Sequence, residues 1–278
     1  MTAPAVDLSA RRGPFPGRID ADLVRRYAAA TNDPSPSAQA GAAVPPIAIV
    51  TQIWDAVMAG RAAIMDPVEQ TATGGVHGQH DVVLHRPIIP GEDLRTFVSG
   101  WSARPVGRNA LLTLRYETFD AAEALVAEQW WTTVYLGATC EPQGPDVPDH
   151  RFPDGARTHP VAVCDIATDD QMPRRYAEVS GDWSAHHFEV EAARQSGSDR
   201  PFLHGLCTMA LCAQGVVASV AGGEPDRIRR VAVRFARPTP VGEAVAVRIF
   251  EAGDGAYAFE ATAAGELVIT HGRAELRP

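Results

Sequence analysis

Residues 202–221 read FLHGLCTMALCAQGVVASVA, and the fold depends on whether this run crosses a bilayer or lies inside a globular core. Its length matches the roughly 20 residues a membrane span needs. It also carries His204, Gln214 and many small residues, and it stops at Gly222-Gly223. A helix that is apolar nearly all round is equally expected where a sheet wraps it completely. The flanks favour the second reading, because Val231, Val233 and Phe235 alternate with Ala232, Arg234 and Ala236 in the period-two pattern of a strand. Similar segments occur at Leu112, Leu114 and Tyr116, from Leu125 to Tyr135, from Ala256 to Thr262 and from Leu267 to Leu276, joined by short turns such as Asp254-Gly255. A buried soluble helix on an antiparallel sheet is an α+β arrangement.

The chain repeats this plan. Arg26-Tyr27-Ala28-Ala29-Ala30-Thr31-Asn32-Asp33 lines up with Arg175-Tyr176-Ala177-Glu178-Val179-Ser180-Gly181-Asp182, and Arg86-Pro87-Ile88-Ile89-Pro90-Gly91-Glu92 with Arg237-Pro238-Thr239-Pro240-Val241-Gly242-Glu243. Two anchors at nearly equal offsets indicate duplication. Residues 142–160, PQGPDVPDHRFPDGARTHP, have no apolar period and read as the linker between a first unit (residues 1–141) and a second (residues 161–278). Each unit is expected to lay one long buried helix on an antiparallel sheet, so that the whole is a double hot dog.

Composition narrows the function. The 278 residues suit two domains, and 45% hydrophobic with 21% charged residues is ordinary for a globular protein. The net charge of −9 argues against a general nucleic-acid binder. All 25 basic residues are Arg, which leaves no Schiff-base or P-loop lysine. Cys140, Cys164, Cys207 and Cys212 form no CxxC pair or zinc-finger spacing, and the N-terminus has no apolar targeting region. A reducing cytoplasm is the expected compartment, with no membrane partner.

Chemistry concentrates in Tyr176–Ala210, YAEVSGDWSAHHFEVEAARQSGSDRPFLHGLCTMA. The segment offers an acid, a base and free backbone donors together, the parts that general acid–base catalysis with a developing oxyanion needs. Asp182 and His187 stand five residues apart on a loop introduced by a glycine, close enough to curl onto one water. Imidazole serves as acid or base near neutrality and a carboxylate beside it orients or shares the proton; which residue handles which proton stays open. Gly205 opens the apolar helix, where backbone N–H groups lack partners and a missing side chain lets a carbonyl approach. The oxyanion site is therefore expected to be backbone, with no metal and no cofactor.

The segments SGDWSAHH and DRPFLHGLCT resemble the signature of MaoC-like hydratases, roughly S-G-D-x-N-P-L-H followed by P-x-x-H-G-L, and look most like type 2, (R)-specific enoyl-CoA hydratases and 3-hydroxyacyl thioester dehydratases. Ser180, Gly181, Asp182, His187, Pro201, His204, Gly205 and Leu206 match. The resemblance covers most of the chain. It implies an Asp182–His187 dyad acting on an enoyl-CoA or acyl-carrier thioester to give the (R)-3-hydroxyacyl product, with Gly205, Ser184 and His204 binding substrate or its oxyanion. Ser184, Ala185 and His186 depart from the pattern inside the loop. These departures bear on substrate preference, and they keep a non-catalytic acyl-thioester binding module as the competing reading, ahead of a hot dog thioesterase.

Neighbouring residues have plainer readings. His186 is expected to pack at the rim, His204 either to orient the loop or to cap the helix, and Cys207 to be a core thiol. His77-Gly78 precedes a strand and reads as structural; Arg234 and Arg237 either meet CoA phosphates or stay solvated. In the first unit Asp33 aligns with Asp182, but Ala38 replaces His187 and Pro45-Pro46-Ile47-Ala48 replaces the His-Gly pair. One active site per chain is expected, with the first unit shaping the acyl or pantetheine channel. A monomeric pseudo-dimer and a homodimer are both compatible with the sequence.

Overall fold

A computed structural model describes residues 4–278. In the first unit, strand β1 (Arg11–Arg18) precedes helix α1 (Ala21–Ala30), a chain of helical segments between residues 46 and 69, and strands β2 (Gly74–Leu84), β3 (Asp93–Val106), β4 (Asn109–Asp120) and β5 (Leu125–Leu136). The second unit runs β6 (Ala162–Ile166), α2 (Met172–Ser180), α3 (Gly205–Val220), β7 (Ile228–Phe235), β8 (Val245–Glu251), β9 (Ala256–Ala263) and β10 (Glu266–Leu276). The strands form one antiparallel sheet in the order β1-β3-β4-β5-β2-β7-β10-β9-β8-β6. That order is a palindrome about the β2–β7 seam, so duplication produces a pseudo-twofold axis there.

Helix α3 is the apolar run met in the sequence. Cys207 to Val217 are all buried, and the helix packs on β6, β7, β8 and β10 and on residues 46–52. Its apolar surface is satisfied by protein, and no single helix among the described residues is long and apolar enough to cross a membrane. The second unit thus has the long wrapped helix expected. The first unit does not: Pro46–Gln52 is a 3₁₀ segment, Trp54–Glu69 follows at a 58° bend, and Arg61–Met65 widens to a π turn. Ile53 leaves helical geometry at the break, and Pro67 has no N–H to close the regular ladder after the π turn.

The edge strand β1 was not evident in the sequence. It carries Pro14 and Pro16, which edge strands tolerate because their outer N–H groups need no partner. Residues 142–160 are irregular apart from a 3₁₀ turn, yet they are packed. Gln143 bridges Ala103, the His150 Nδ1–H donates to the His271 carbonyl at 2.7 Å, and Phe152 packs with Phe250 and Ala258 on the sheet face opposite α3. This cover explains why Ala232, outward on β7, is fully buried. Across the seam Arg230 donates to both oxygens of Asp81, at 3.0 and 2.6 Å, and to Glu275 at 3.2 Å. Bidentate charged bonds of this kind fix the register between the units.

Candidate active site

Helix α2 ends because Gly181 takes a left-handed conformation (φ 79°), which a residue without Cβ adopts at no steric cost. The chain then turns on Asp182, whose Oδ1 accepts from the Ser184 N–H at 3.0 Å and the Ser184 hydroxyl at 2.5 Å. A short 3₁₀ turn, Ala185–His187, carries the imidazole of His187 inward. The His187 Nδ1–H donates to the Phe202 carbonyl at 2.9 Å, which fixes the tautomer and leaves Nε2 with a lone pair. That Nε2 lies 3.9 Å from Asp182 Oδ2.

Two acceptors therefore face each other at a separation too long for a direct hydrogen bond and suited to one water donating to both. Burial, aided by the nearby His204 and His186, holds the His187 imidazole far below its usual range, so it is neutral at physiological pH. The His204 ring lies against it, centroids 3.6 Å apart, and its Nε2–H donates to the backbone carbonyl of Asp182 at 2.9 Å. His204 occupies the N-cap position of α3 but makes no side-chain cap bond. Of its two sequence readings, orienting the loop is the one the geometry matches.

These bonds redistribute the expected substrate-binding set. The Ser184 O–H is committed to Asp182, and the His204 N–H to the Asp182 carbonyl, so neither has a proton left for a substrate oxygen. The remaining donor is backbone. Gly205 is the first residue of α3, where N–H groups have no preceding turn to receive them. A Cβ there would meet the Phe235 ring at 3.2 Å, so a side chain would push on the cavity wall. Cys207 is fully buried and burial pushes its thiol up, consistent with a core thiol. His186 is half-buried and stacks on Phe202, centroids 5.1 Å apart, at the rim.

Asp182, His187 and Gly205 open onto one cavity of about 400 Å³ that reaches into the first unit. Val50, Ile53, Trp54 and Val57 line its apolar stretch, and Arg61, Glu69 and Tyr135 mark a polar end where the Tyr135 hydroxyl donates to Glu69 at 3.1 Å. Val50, Ile53, Trp54 and Val57 come from the helical segments at and on either side of the break at Ile53. His77, read as structural, stacks on Trp131 at 3.7 Å between centroids and also lines the wall, a long-range placement with no local signal. Arg237 stands at the cavity rim, whereas Arg234 is exposed elsewhere on β7. Asp182, His187 and His204 also bring one potential ligand atom each within 4.8 Å of one another, a set that could hold a divalent ion in place of the water.

Comparison with known proteins gives the same picture. Residues 153–271 match the family described as MaoC like domain. Over 201 residues the chain is 30% identical to 3-hydroxyacyl-thioester dehydratase Y of Mycobacterium tuberculosis, covering 68% of this chain and 66% of that protein. It is 25% identical over 187 residues to the peroxisomal enoyl-CoA hydratase 2 of Arabidopsis thaliana, covering 64% and 60%. The chain thus spans just under two thirds of these relatives. Among solved structures, a MaoC-like dehydratase from Phytophthora capsici superposes with a TM-score of 0.81 at 20% identity, over 99% of this chain and 96% of that one. A Mycobacterium tuberculosis protein described as a double hotdog fold superposes at 0.57 and 16% identity, over 99% and 95%. The architecture is a double hot dog, and residues 153–271, which include most of the second unit, carry a MaoC-like domain.

Proposed function

We propose that this protein reversibly hydrates trans-2-enoyl-CoA thioesters to (R)-3-hydroxyacyl thioesters, with Asp182 and His187 as the catalytic pair. The supporting observation is the 3.9 Å gap between Asp182 Oδ2 and His187 Nε2, two acceptors that open onto the same cavity as Gly205. A water placed there donates one proton to each. His187 takes a proton as the water oxygen bonds to C3, and the C2–C3 π electrons move onto the thioester oxygen. The Gly205 N–H at the positive end of α3 stabilises that enolate. The proton returns from the imidazolium to C2 as the C=O re-forms, so one water is consumed and the protein ends unchanged. The carboxylate steadies the transient imidazolium, and the Ser184 and His204 bonds hold the loop that carries both groups.

The acyl chain is placed in the apolar stretch lined by Val50, Ile53, Trp54 and Val57, and the CoA phosphates near Arg237 at the rim. The relatives' names support the substrate class, which comes to this chain as part of the proposal. A turnover screen over trans-2-enoyl-CoA lengths, with product configuration determined by an (R)-specific dehydrogenase, tests it. Saturable acyl-CoA binding with no turnover at any length would instead make the chain a binding module.

A further inference from the structure

The pseudo-twofold axis generates a second cavity, of about 280 Å³, on the other side of the seam. The active-site cavity combines the second unit's 182–187 loop with first-unit helical segments. This one combines the first unit's 33–36 loop with Ala213, Gln214 and Val217 of α3. The loops correspond in detail. Asn32 takes the left-handed conformation (φ 52°) that Gly181 takes, and Asp33 Oδ1 accepts from the Ser35 N–H at 2.9 Å as Asp182 does from Ser184. The histidine is missing, with Ala38 in its place, and Pro45, Pro46 and Ile47 line the cavity where the His-Gly pair would stand.

The cavity is nevertheless equipped for recognition. Gln214 is 8% exposed, and its orientation is forced by its neighbours. The Thr31 hydroxyl donates to the Tyr27 carbonyl at 2.9 Å, so toward Gln214 both Thr31 oxygens only accept. The Gln214 amide NH₂ must face them, and does so at 2.8 and 3.2 Å. Its Oε1 is left buried with no hydrogen-bond partner among the described residues, in a side chain that lines the cavity. Asp33, itself 6% exposed, presents its carboxyl to the same space, and Tyr27, Ile47 and Val217 supply apolar walls. Two acceptors and no cationic side chain in the lining exclude anions and call for a donor.

We propose that this cavity is a separate binding site for a small neutral amphiphile, with a hydroxyl or amide N–H directed at Gln214 Oε1 and Asp33 and a short apolar body between Tyr27 and Val217. The volume is roughly twice that of the ~150 Å³ apolar cavity known to hold benzene, which suits a six-carbon body. Burial raises the Asp33 carboxyl, in keeping with a neutral donor rather than an ammonium ion.

The test titrates 1-hexanol and its methyl ether against the full chain by ligand-observed NMR, and soaks crystals with 6-bromo-1-hexanol to locate bromine by anomalous scattering. Saturable alcohol binding is expected, with the ether weaker by about tenfold for want of the donor. Gln214→Leu should erase that preference. Ala218→Phe, at an exposed position lining the cavity, should abolish binding without unfolding the protein or changing its turnover, which separates this site from the dyad. Absence of binding, equal affinity for the ether, survival of binding in Ala218→Phe, or bromine confined to the dyad cavity would overturn the assignment.

Discussion

Replacing Asp182 by Asn changes one atom at the centre of the proposed mechanism and little else. The Asn Oδ1 still accepts from the Ser184 N–H and hydroxyl, so the turn survives. The second oxygen becomes an NH₂ group facing His187 Nε2 across the 3.9 Å gap. An acceptor of the water's proton becomes a donor, and no orientation of the water then satisfies both neighbours as before. The imidazolium formed during the reaction also loses its counter-charge. Positioned acid–base groups contribute about 10²–10⁴-fold, so kcat should fall by that factor, or about 2.7–5.4 kcal/mol in barrier. KM should stay within a few-fold, because the cavity walls are untouched. The thermal midpoint should move by no more than about 2 °C, since Asp182 is only partly buried and its local bonds remain. Stopped-flow consumption of an enoyl-CoA beside a melting curve reads all three. A variant retaining kcat within about threefold would show that Asp182 does not act on the water, since loss of a positioned group predicts far more.

Other outcomes follow from the same geometry. Arg230→Ala strands Asp81 in the buried seam, while Glu275 keeps Arg229 and Arg273, so stability should fall by about 3–5 kcal/mol in denaturant titrations with the dyad untouched; a loss under about 1 kcal/mol would refute a structural role for the bridge. Burial lowers the pKa of His77, His80, His187 and His204 in the fold, to about 4 for His80. The unfolded chain then binds more protons below its ordinary imidazole pKa, and stability should be complete above about pH 6.5 and decline as pH falls, with His80 alone costing about 2 kcal/mol at pH 5. A chevron or melt series flat from pH 7 to 5 would contradict this. Chelation with EDTA should leave turnover unchanged, and added Zn²⁺ should inhibit by bridging Asp182, His187 and His204 at the water position; activity abolished by EDTA and restored by a metal would assign these residues to a metal centre instead.

The sequence displayed features encoded by neighbours in the chain. The apolar run 202–221, the alternation at Val231–Ala236 and the repeated Arg-Tyr anchor were enough for an α+β duplicated fold. The spacing of Asp182, His187 and Gly205 was enough to choose a loop and a helix start. What it concealed depends on distant partners. Nothing local in GGVHGQH says that His77 will stack on Trp131 and wall the cavity, because that contact is made across β2 and β5. Ser184 reads as a free hydroxyl until the turn aims it at Asp182. The Pro- and Asp-rich linker looks loose, although His150 and Phe152 seal the sheet's outer face. The duplication predicts one long buried helix in the first unit, but the chain breaks at Ile53, and residues on both sides of the break line the cavity.

The most direct measurement is the fate of crotonyl-CoA turned over in ¹⁸O-labelled water, with the product's configuration and label position determined. The expected product is (R)-3-hydroxybutyryl-CoA with the label on C3, formed by the wild type and lost in His187→Ala. Release of free CoA with the label in a carboxylate, or bound substrate recovered unchanged from the wild type, would contradict hydration at this site.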